Sequence, residues 1–341
     1  MIKTNTLLKV LISGIIVVAL LYFTGIENIM ETILILDPHL LLLAVSITIP
    51  TTFFKILRWK LILKASNVNI PFAEIIRIFM IGFFFGAITP SRVGNLIKFH
   101  YLRKYHNVPT STAISISMID RIFDVIVLAA FALLGLILVT TAIRTIYTAI
   151  AFVIIILAII LFIFNEKTFK KIATFGILRI KALRKLVKSR GEIDTNKAAS
   201  DLYIPVKRMK NPKIFSITML LTILIWTTIG VQIFLILLAM GVPVNVYKTI
   251  VFSGTSSFLG LVPITISGLG VREGSLAFFL STIGVSLDSG VAASLILYLI
   301  GHIPPALVGM GLYFVYKRRK VFLRSKQTNG PSDPEQTGKG L

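Results

Sequence analysis

The chain has 341 residues, of which 55% are apolar and only 15% carry a charge. Its mean hydropathy is +0.88. A water-soluble domain is about one-quarter charged, so this composition excludes an ordinary soluble enzyme. The absence of cysteine excludes disulfides, thiolate metal sites and cysteine nucleophiles. The four histidines are scattered, so we predict no metal site and no other cofactor.

Apolar stretches of roughly the length that crosses a bilayer recur along most of the chain. In chain order they cover residues 7–24, 39–57, 72–89, 109–139, 145–164, 214–240, 247–279 and 291–316. The third stretch is short and the seventh is interrupted, whereas the other six fit full crossings. The sequence therefore predicts an all-α polytopic membrane protein. We expect a single membrane domain over 1–320 and a disordered cytoplasmic tail over 321–341.

Cations predict the orientation, because Lys and Arg concentrate in cytoplasmic loops. The formal charge is +22, and the loop 166–213 alone contains fourteen Lys or Arg against four Asp or Glu. We place this loop, the cations at 317–320, and Lys55 and Arg58 after the second helix in the cytoplasm. Both termini of this multi-pass cell-membrane protein are then cytoplasmic. The positive charge predicts contact with anionic membrane lipids rather than nucleic acid.

The stretch 72–89 conflicts with this orientation if it crosses the membrane, because Lys98 and the cations around it would lie outside. A re-entrant hairpin that turns near Pro90 and returns to the cytoplasmic face removes the conflict. Pro90 breaks a helix, and Gly94 permits close backbone approach. The alternative is a seventh crossing with unfavourably placed charges.

The segment 264–274 resembles this first break in its order of features: an apolar half-helix, small residues, an Arg beside a Gly, and a second half-helix. Its break residues are Pro263, Gly268 and Gly270. Three crossings separate the two units, so the second hairpin enters from the opposite face. The sequence thus predicts about six full transmembrane helices plus two re-entrant helical hairpins in an inverted repeat, an architecture found in many transporters.

Charged residues within the membrane are costly, so each is a candidate for function. Arg92 and Arg272 stand at the two breaks, where a guanidinium and a half-helix N-terminus can bind the same phosphate. The alternative for Arg272 is a structural pair with Glu273 or another carboxylate.

Asp120, Arg121 and Asp124 lie three and four positions apart, on neighbouring positions of one helix face. They suit a substrate or proton site at the rim of a polar cavity, and equally a structural ion pair. Glu74 and Arg77, three apart, are interpreted as an interfacial pair.

No ATP-binding loop, zinc motif or nucleophile elbow is found in the sequence. The chain is therefore more readily a binding or transport protein than an enzyme, although the enzyme question stays open. We expect a lipid translocase that binds an anionic phospho- or glycolipid headgroup. The alternative is a membrane-embedded enzyme, or an accessory subunit, that acts on lipid-linked substrates. A homo-oligomer and a membrane-enzyme partner are both left open.

Three segments resemble a known family. Residues 89–98 resemble the "P-x-R-x-G-E" break, 119–124 the "E-R-x-x-D" stretch, and 263–274 the "P-x-x-G-G-x-G-x-R-E" segment of the flippase-like membrane domain of lysylphosphatidylglycerol synthases. The chain is similar to that family's stand-alone, uncharacterised members over roughly residues 7–316. Asn95 stands where the family commonly has Glu, and Asp120 replaces the Glu before Arg121.

The resemblance implies two re-entrant hairpins and movement of charged or glycosylated lipids between leaflets. The matching polar positions are Arg92, Arg121, Asp124, Arg272 and Glu273. The departure at residue 95 weakens any claim that the site recognises a cationic headgroup. The soluble aminoacyl-transferase domain of the full synthase has no counterpart here, so we do not expect this chain to make the lysyl-lipid.

Overall fold

The computed structural model describes residues 36–88, 97–139, 165–171, 195–261 and 270–328, with the single residues 147, 151, 154 and 174. Over these residues the chain is helical and contains no strand, which confirms the predicted all-α class. Among them, four segments are long and apolar enough to cross a membrane. They are Pro38–Ala65, Thr110–Val139, Pro212–Ala239 and Leu287–Val315.

The helices with described bounds are numbered here in chain order. They are α1 (Pro38–Ser46), α2 (Thr48–Ala65), α3 (Phe72–Ile88), α4 (Ile97–His106), α5 (Thr110–Val139), α6 (Thr195–Arg208), α7 (Pro212–Ala239), α8 (Val246–Leu259), α9 (Val271–Ser281) and α10 (Leu287–Thr328). The predicted crossing at 7–24 lies outside the described residues, as does most of 145–164. The arrangement of six crossings and two hairpins therefore stays a prediction. The disordered tail over 321–341 also stays a prediction. The helix α10 includes residues 321–328, and residues 329–341 lie outside the described part.

Side-chain caps fix where several helices begin. The carboxylate of Asp37 accepts hydrogen bonds from backbone N–H groups at the start of α1, and Asn211 and Asn245 do the same for α7 and α8. Pro38 and Pro212 occupy the first position of their helices, where a missing N–H costs nothing. These short polar residues end each connection and set the start of the apolar helix that follows.

The two predicted broken units have the same packing scheme. In each unit the two short helices contact each other: α3 with α4, and α8 with α9. The first helix of each pair packs most extensively on the long helix of the other unit: α3 lies on α10, and α8 lies on α5 as well as on α7. The preceding helices, α2 and α7, pack on each other. This exchange of partners is the relation expected between two copies of a repeat.

Small residues allow the exchanged helices to approach closely. Gly309 of α10 lies against the backbone of Met80 in α3, and Gly254 of α8 lies against the ring of Phe131 in α5. The Thr255 hydroxyl also donates a hydrogen bond to the Phe131 carbonyl, at 2.9 Å. Close backbone approach at small residues is a common way to associate helices in membranes.

The described residues form two hydrophobic cores, one for each unit. The first is built by α2 to α6 and includes Ile62, Ile78 and Phe123. The second is built chiefly by α7 to α10 and includes Ile236 and Phe252. The polar residues described next lie between these two cores.

Candidate functional site

A cavity of about 160 Å³ lies where the two units meet. Helices from both units contribute to its wall, from α2 to α5 on one side and from α7 to α10 on the other. We call it the central cavity. Among the described residues, the charged side chains that line it are Lys55, Arg58, Lys98, Asp120, Arg121, Asp124 and Arg272.

Arg58 is the centre of a buried ion-pair network in this wall. Its Nη1 atom lies 2.7 Å from Oδ1 of Asp124, and its Nη2 atom lies 2.9 Å from Oδ1 of Asp120. Nη1 also donates to the Thr222 hydroxyl at 3.1 Å, and the indole N–H of Trp226 donates to Asp124 at 3.2 Å. The network joins α2, α5 and α7, so it connects α7, the helix that precedes the second unit, to α2 and α5.

The exposure of these side chains shows why the pairing matters. The exposed fraction is 5% for the Arg58 side chain, 10% for Asp124 and 25% for Asp120. A buried charge without its partner is strongly destabilising. Arg58 therefore pairs with both carboxylates at the wall, and Asp120 is the most exposed of the three side chains.

Lys98, at the start of α4, contributes a different kind of charge. Its Nζ atom lies 4.0 Å from the ring centroid of Phe79 and 5.5 Å from that of Trp59. Within the described part of the chain no carboxylate lies within 4.0 Å of it, so aromatic faces are its nearest favourable contacts. Gly82 of α3 leaves the space for this side chain, because a Cβ there would lie 2.5 Å from Lys98 Cγ.

Arg272 lies in the first turn of α9 and is paired with its neighbour. Its Nη2 and Nε atoms donate to Oε1 of Glu273, at 2.8 and 3.1 Å. The other oxygen of Glu273 accepts the backbone N–H of Gly270 at 2.7 Å. Gly270 has φ of +84°, a conformation that favours glycine. Glu273 thus caps α9 and positions the Arg272 guanidinium at the same time.

Uncharged polar groups complete the cavity wall. They come from α2, α7, α8 and α10, and include hydroxyl groups and one amide: Thr48, Thr51, Thr52, Gln232, Ser253, Ser256, Ser257, Ser294. His302 of α10 also lines it, with its ring stacked on Tyr298 at a centroid distance of 4.5 Å. No group of three or more metal-binding side chains is found among the described residues.

Residues 6–309 match the family model of the lysylphosphatidylglycerol synthase TM region. The chain belongs to this family. The family membership that the three segments indicated is therefore confirmed, over nearly the whole chain.

Several proteins similar to this chain are membrane proteins of similar length. A UPF0104 membrane protein of Pyrococcus horikoshii is 25% identical over 332 residues, which cover 93% of this chain and 98% of that protein. One from Methanocaldococcus jannaschii is 22% identical over 329 residues, covering 92% and 96%. One from Methanothermobacter thermautotrophicus is 23% identical over 329 residues, covering 90% and 92%. These matches and the apolar helices support a multi-pass membrane protein.

The fold brings several of the predicted site residues together at the central cavity. Asp120, Arg121, Asp124 and Arg272 all line the central cavity, although they come from α5 and α9. Glu273 lies behind Arg272 and holds it. Arg92 and the predicted break residues Pro90, Gly94, Pro263 and Gly268 lie outside the described residues.

Three cations in the cavity wall, Lys55, Arg58 and Lys98, were not among the site residues predicted from the sequence. Arg58 was placed after a helix ending at residue 57, but α2 continues to Ala65 and buries Arg58. Lys98 was used only as an indicator of membrane orientation, and it lines the cavity. The spacing of Thr48, Thr51, Lys55 and Arg58 is three, four and three residues, which places them along one helix face. This row of polar residues indicates that the helix continues to Arg58 and that one of its faces lines a polar cavity.

Proposed function

We propose that this protein binds the anionic headgroup of a membrane lipid in the central cavity and moves the lipid between leaflets. The observation that carries the proposal is the charge of the cavity wall, to which the described residues contribute five cationic side chains and two carboxylates. Both carboxylates are bound to Arg58. The remaining positive charge therefore favours an anion.

The location of these charges supports the same function. They lie among helices that are apolar enough to cross a membrane, where ionised groups are costly. A protein that only needs stability gains little from a cluster of cations there. A path for a charged headgroup accounts for the cost, because the lipid tails can stay in the bilayer while the headgroup occupies the cavity.

In this proposal the two broken units form re-entrant hairpins that meet at the cavity from opposite faces. The termini and the basic loop 166–213 are cytoplasmic. The exchanged packing of α3 on α10 and of α8 on α5 supports a repeat of this kind. Each hairpin would then border the headgroup path on one side of the membrane midplane.

The test is lipid translocation by the purified protein in proteoliposomes that contain acyl-labelled phosphatidylglycerol. We expect movement of this lipid at a rate above that of protein-free liposomes, and slower movement of labelled phosphatidylcholine. Lys98→Gln should lower the phosphatidylglycerol rate by roughly tenfold to a hundredfold, because a charge-assisted bond to the headgroup is lost.

Lys104→Gln is the matched control, because it removes the same charge from the same helix at an exposed position. It should leave the rate unchanged. The proposal fails if the wild-type protein moves no anionic lipid, or if Lys98→Gln and Lys104→Gln have equal effects.

A further inference from the structure

The helix α10 contacts both units of the protein, with a different half on each. Its first half, which includes Val291 and Ile296, belongs to the second hydrophobic core. Its second half packs on α3, where Gly309 lies against Met80 and Leu312 packs on the first core. A change in the angle between the two halves therefore changes the position of one unit relative to the other.

Pro304 and Pro305 lie between these two halves. A proline has no N–H, so the carbonyl groups of Ile300 and Gly301 lack the donors that residues four positions later give in a regular helix. Long helices bend at such interruptions. The long helix α5 also contacts both cores, but it contains no proline. Of these two connections between the cores, α10 is therefore the one with a joint.

The Ile300 carbonyl obtains a donor from another helix. The hydroxyl of Thr48, in the first turn of α2, donates to it at 3.1 Å. The same hydroxyl accepts a hydrogen bond from the side-chain amide of Gln232 at 2.9 Å, and this amide also donates to the Ala44 carbonyl at 3.1 Å. Thr48 and Gln232 are buried. A buried chain of hydrogen bonds thus fastens α10 to α2 just before the joint.

This contact closes a seam between the central cavity and the outer surface of the protein. The helix α10 packs closely on α3, α7 and α9, but it touches α2 over a short stretch only. Thr48 and Gly301 line the cavity. Close to them in sequence, Ile49 on α2 and Ile303 on α10 are large exposed apolar side chains, which suit contact with lipid tails. Separating α2 from α10 would therefore open the cavity sideways to the bilayer.

We propose that α2 and α10 form a lateral gate of the central cavity. When the gate opens, the hydrogen bond from Thr48 to Ile300 breaks and α10 bends at Pro304 and Pro305. The net strength of one hydrogen bond is small, which suits a contact that opens in every transport cycle. The gate rests on the proposed function, and it specifies where the acyl chains pass the wall while the headgroup is in the cavity.

An engineered cysteine pair tests the gate, because the chain has no cysteine of its own. The pair is Thr48→Cys with Gly301→Cys. Residue 301 follows the carbonyl that Thr48 binds, and an added Cβ there has nothing within 4 Å. A short bifunctional thiosulfonate reagent joins the two helices, and a reductant releases them. In proteoliposomes, we expect the joined protein to lose nearly all movement of acyl-labelled phosphatidylglycerol and the reductant to restore it.

Thr51→Cys with Thr228→Cys is the matched control pair. These two hydroxyl oxygens lie 2.9 Å apart, and the pair joins α2 to α7, which stay together when the gate opens. The bifunctional reagent should leave its rate equal to that of its own reduced form. A monofunctional thiosulfonate on the Thr48 and Gly301 pair adds similar bulk without a link, and should leave most of the rate.

Pro304→Ala tests the joint by a separate route. It returns an N–H to the Ile300 carbonyl and stiffens α10, so we expect slower transport without a loss of stability. A structural proline with no part in gating would leave the rate unchanged, and that result would overturn the joint.

The remaining outcomes separate the gate from the proposed function. Full transport by the joined Thr48 and Gly301 pair, or equal arrest by the monofunctional reagent, would overturn the gate and leave anionic translocation intact. If the wild-type protein moves no phosphatidylglycerol, the proposed function and the gate fail together.

Discussion

The two broken units share a packing scheme but present different chemistry to the cavity. The first, α3 and α4, contributes Lys98, whose charge faces aromatic rings and no carboxylate of the described residues. The second, α8 and α9, contributes hydroxyls and Arg272, whose charge is already paired with Glu273. The comparison shows that two units with similar helix packing can supply an unpaired cation on one side, and hydroxyls with a paired cation on the other.

The ion pairs beside the first unit and within the second unit also differ in how far apart their partners lie in the sequence. Arg58 of α2 joins residues from three helices, and its contacts with Asp120 and Asp124 cross long distances in sequence. Glu273 caps its own helix and pairs with its immediate neighbour. Charge therefore holds separate helices together beside the first unit, and organises one local turn in the second.

The largest effect is expected for Arg58→Leu, which leaves two carboxylates without their cation. The free energy of unfolding should fall by about 3–5 kcal/mol, as measured by denaturant unfolding in mixed micelles. Arg272→Leu should lower the free energy of unfolding by less, because Glu273 keeps its hydrogen bond from the Gly270 backbone. Equal losses would contradict the contrast between a network across helices and a local pair.

The second effect compares the two exchanged helix contacts. Gly309→Ala places a methyl group against the backbone carbonyl of Met80, which cannot rotate away, and should cost about 1–3 kcal/mol. Gly135→Ala meets the side chain of Thr255 and should cost less. Gly311→Ala is the matched control on α10, since nothing lies within 4 Å of the added atom. A loss of stability in Gly311→Ala equal to that in Gly309→Ala would argue against close packing as the cause.

The third effect concerns transport and separates the paired cation from the unpaired one. We expect Lys98→Gln to lower the phosphatidylglycerol rate roughly tenfold or more, and Arg272→Gln by a factor of about three. The reason is that Arg272 already shares its charge with Glu273. A larger loss in Arg272→Gln than in Lys98→Gln, measured in the same proteoliposome assay, would contradict the contrast between the paired and the unpaired cation.

The smallest effect is expected for Glu273→Gln. The amide oxygen can still accept the Gly270 N–H. The losses are the favourable charge at the start of α9, about 0.3–1 kcal/mol of stability, and the ion pair with the partly exposed Arg272, about 0–1 kcal/mol more. The phosphatidylglycerol rate should not fall, because Arg272 then has no competing carboxylate. A complete loss of transport in a folded Glu273→Gln protein would instead place Glu273 in contact with the substrate.

The sequence predicted what depends on local pattern. The long helix predicted at 109–139 is observed as Thr110–Val139. Its long apolar run was enough to predict it. The pairing of Glu74 with Arg77, three residues apart, is also confirmed. Helix periodicity is enough for such contacts, since residues three or four apart on a helix are neighbours.

The sequence could not predict contacts between distant segments. Arg58 binds Asp124, 66 residues away, and Trp226 donates to Asp124 from 102 residues away. Without those partners, a cation near the end of an apolar run is more simply placed in water, so α2 was predicted too short. The lining serines of α8, Ser253, Ser256 and Ser257, were missed for a similar reason, because hydroxyl residues are recognised as site residues only when the cavity they line is known.

The exchange of helices between the units also has a consequence for how the protein is made. When the ribosome has produced α3, its partner α10 does not yet exist, so the amino-terminal half must wait in the bilayer with that surface covered by lipid or by an insertion factor. Two fragments divided before α7 should therefore be unstable when expressed singly and should complement each other when expressed together.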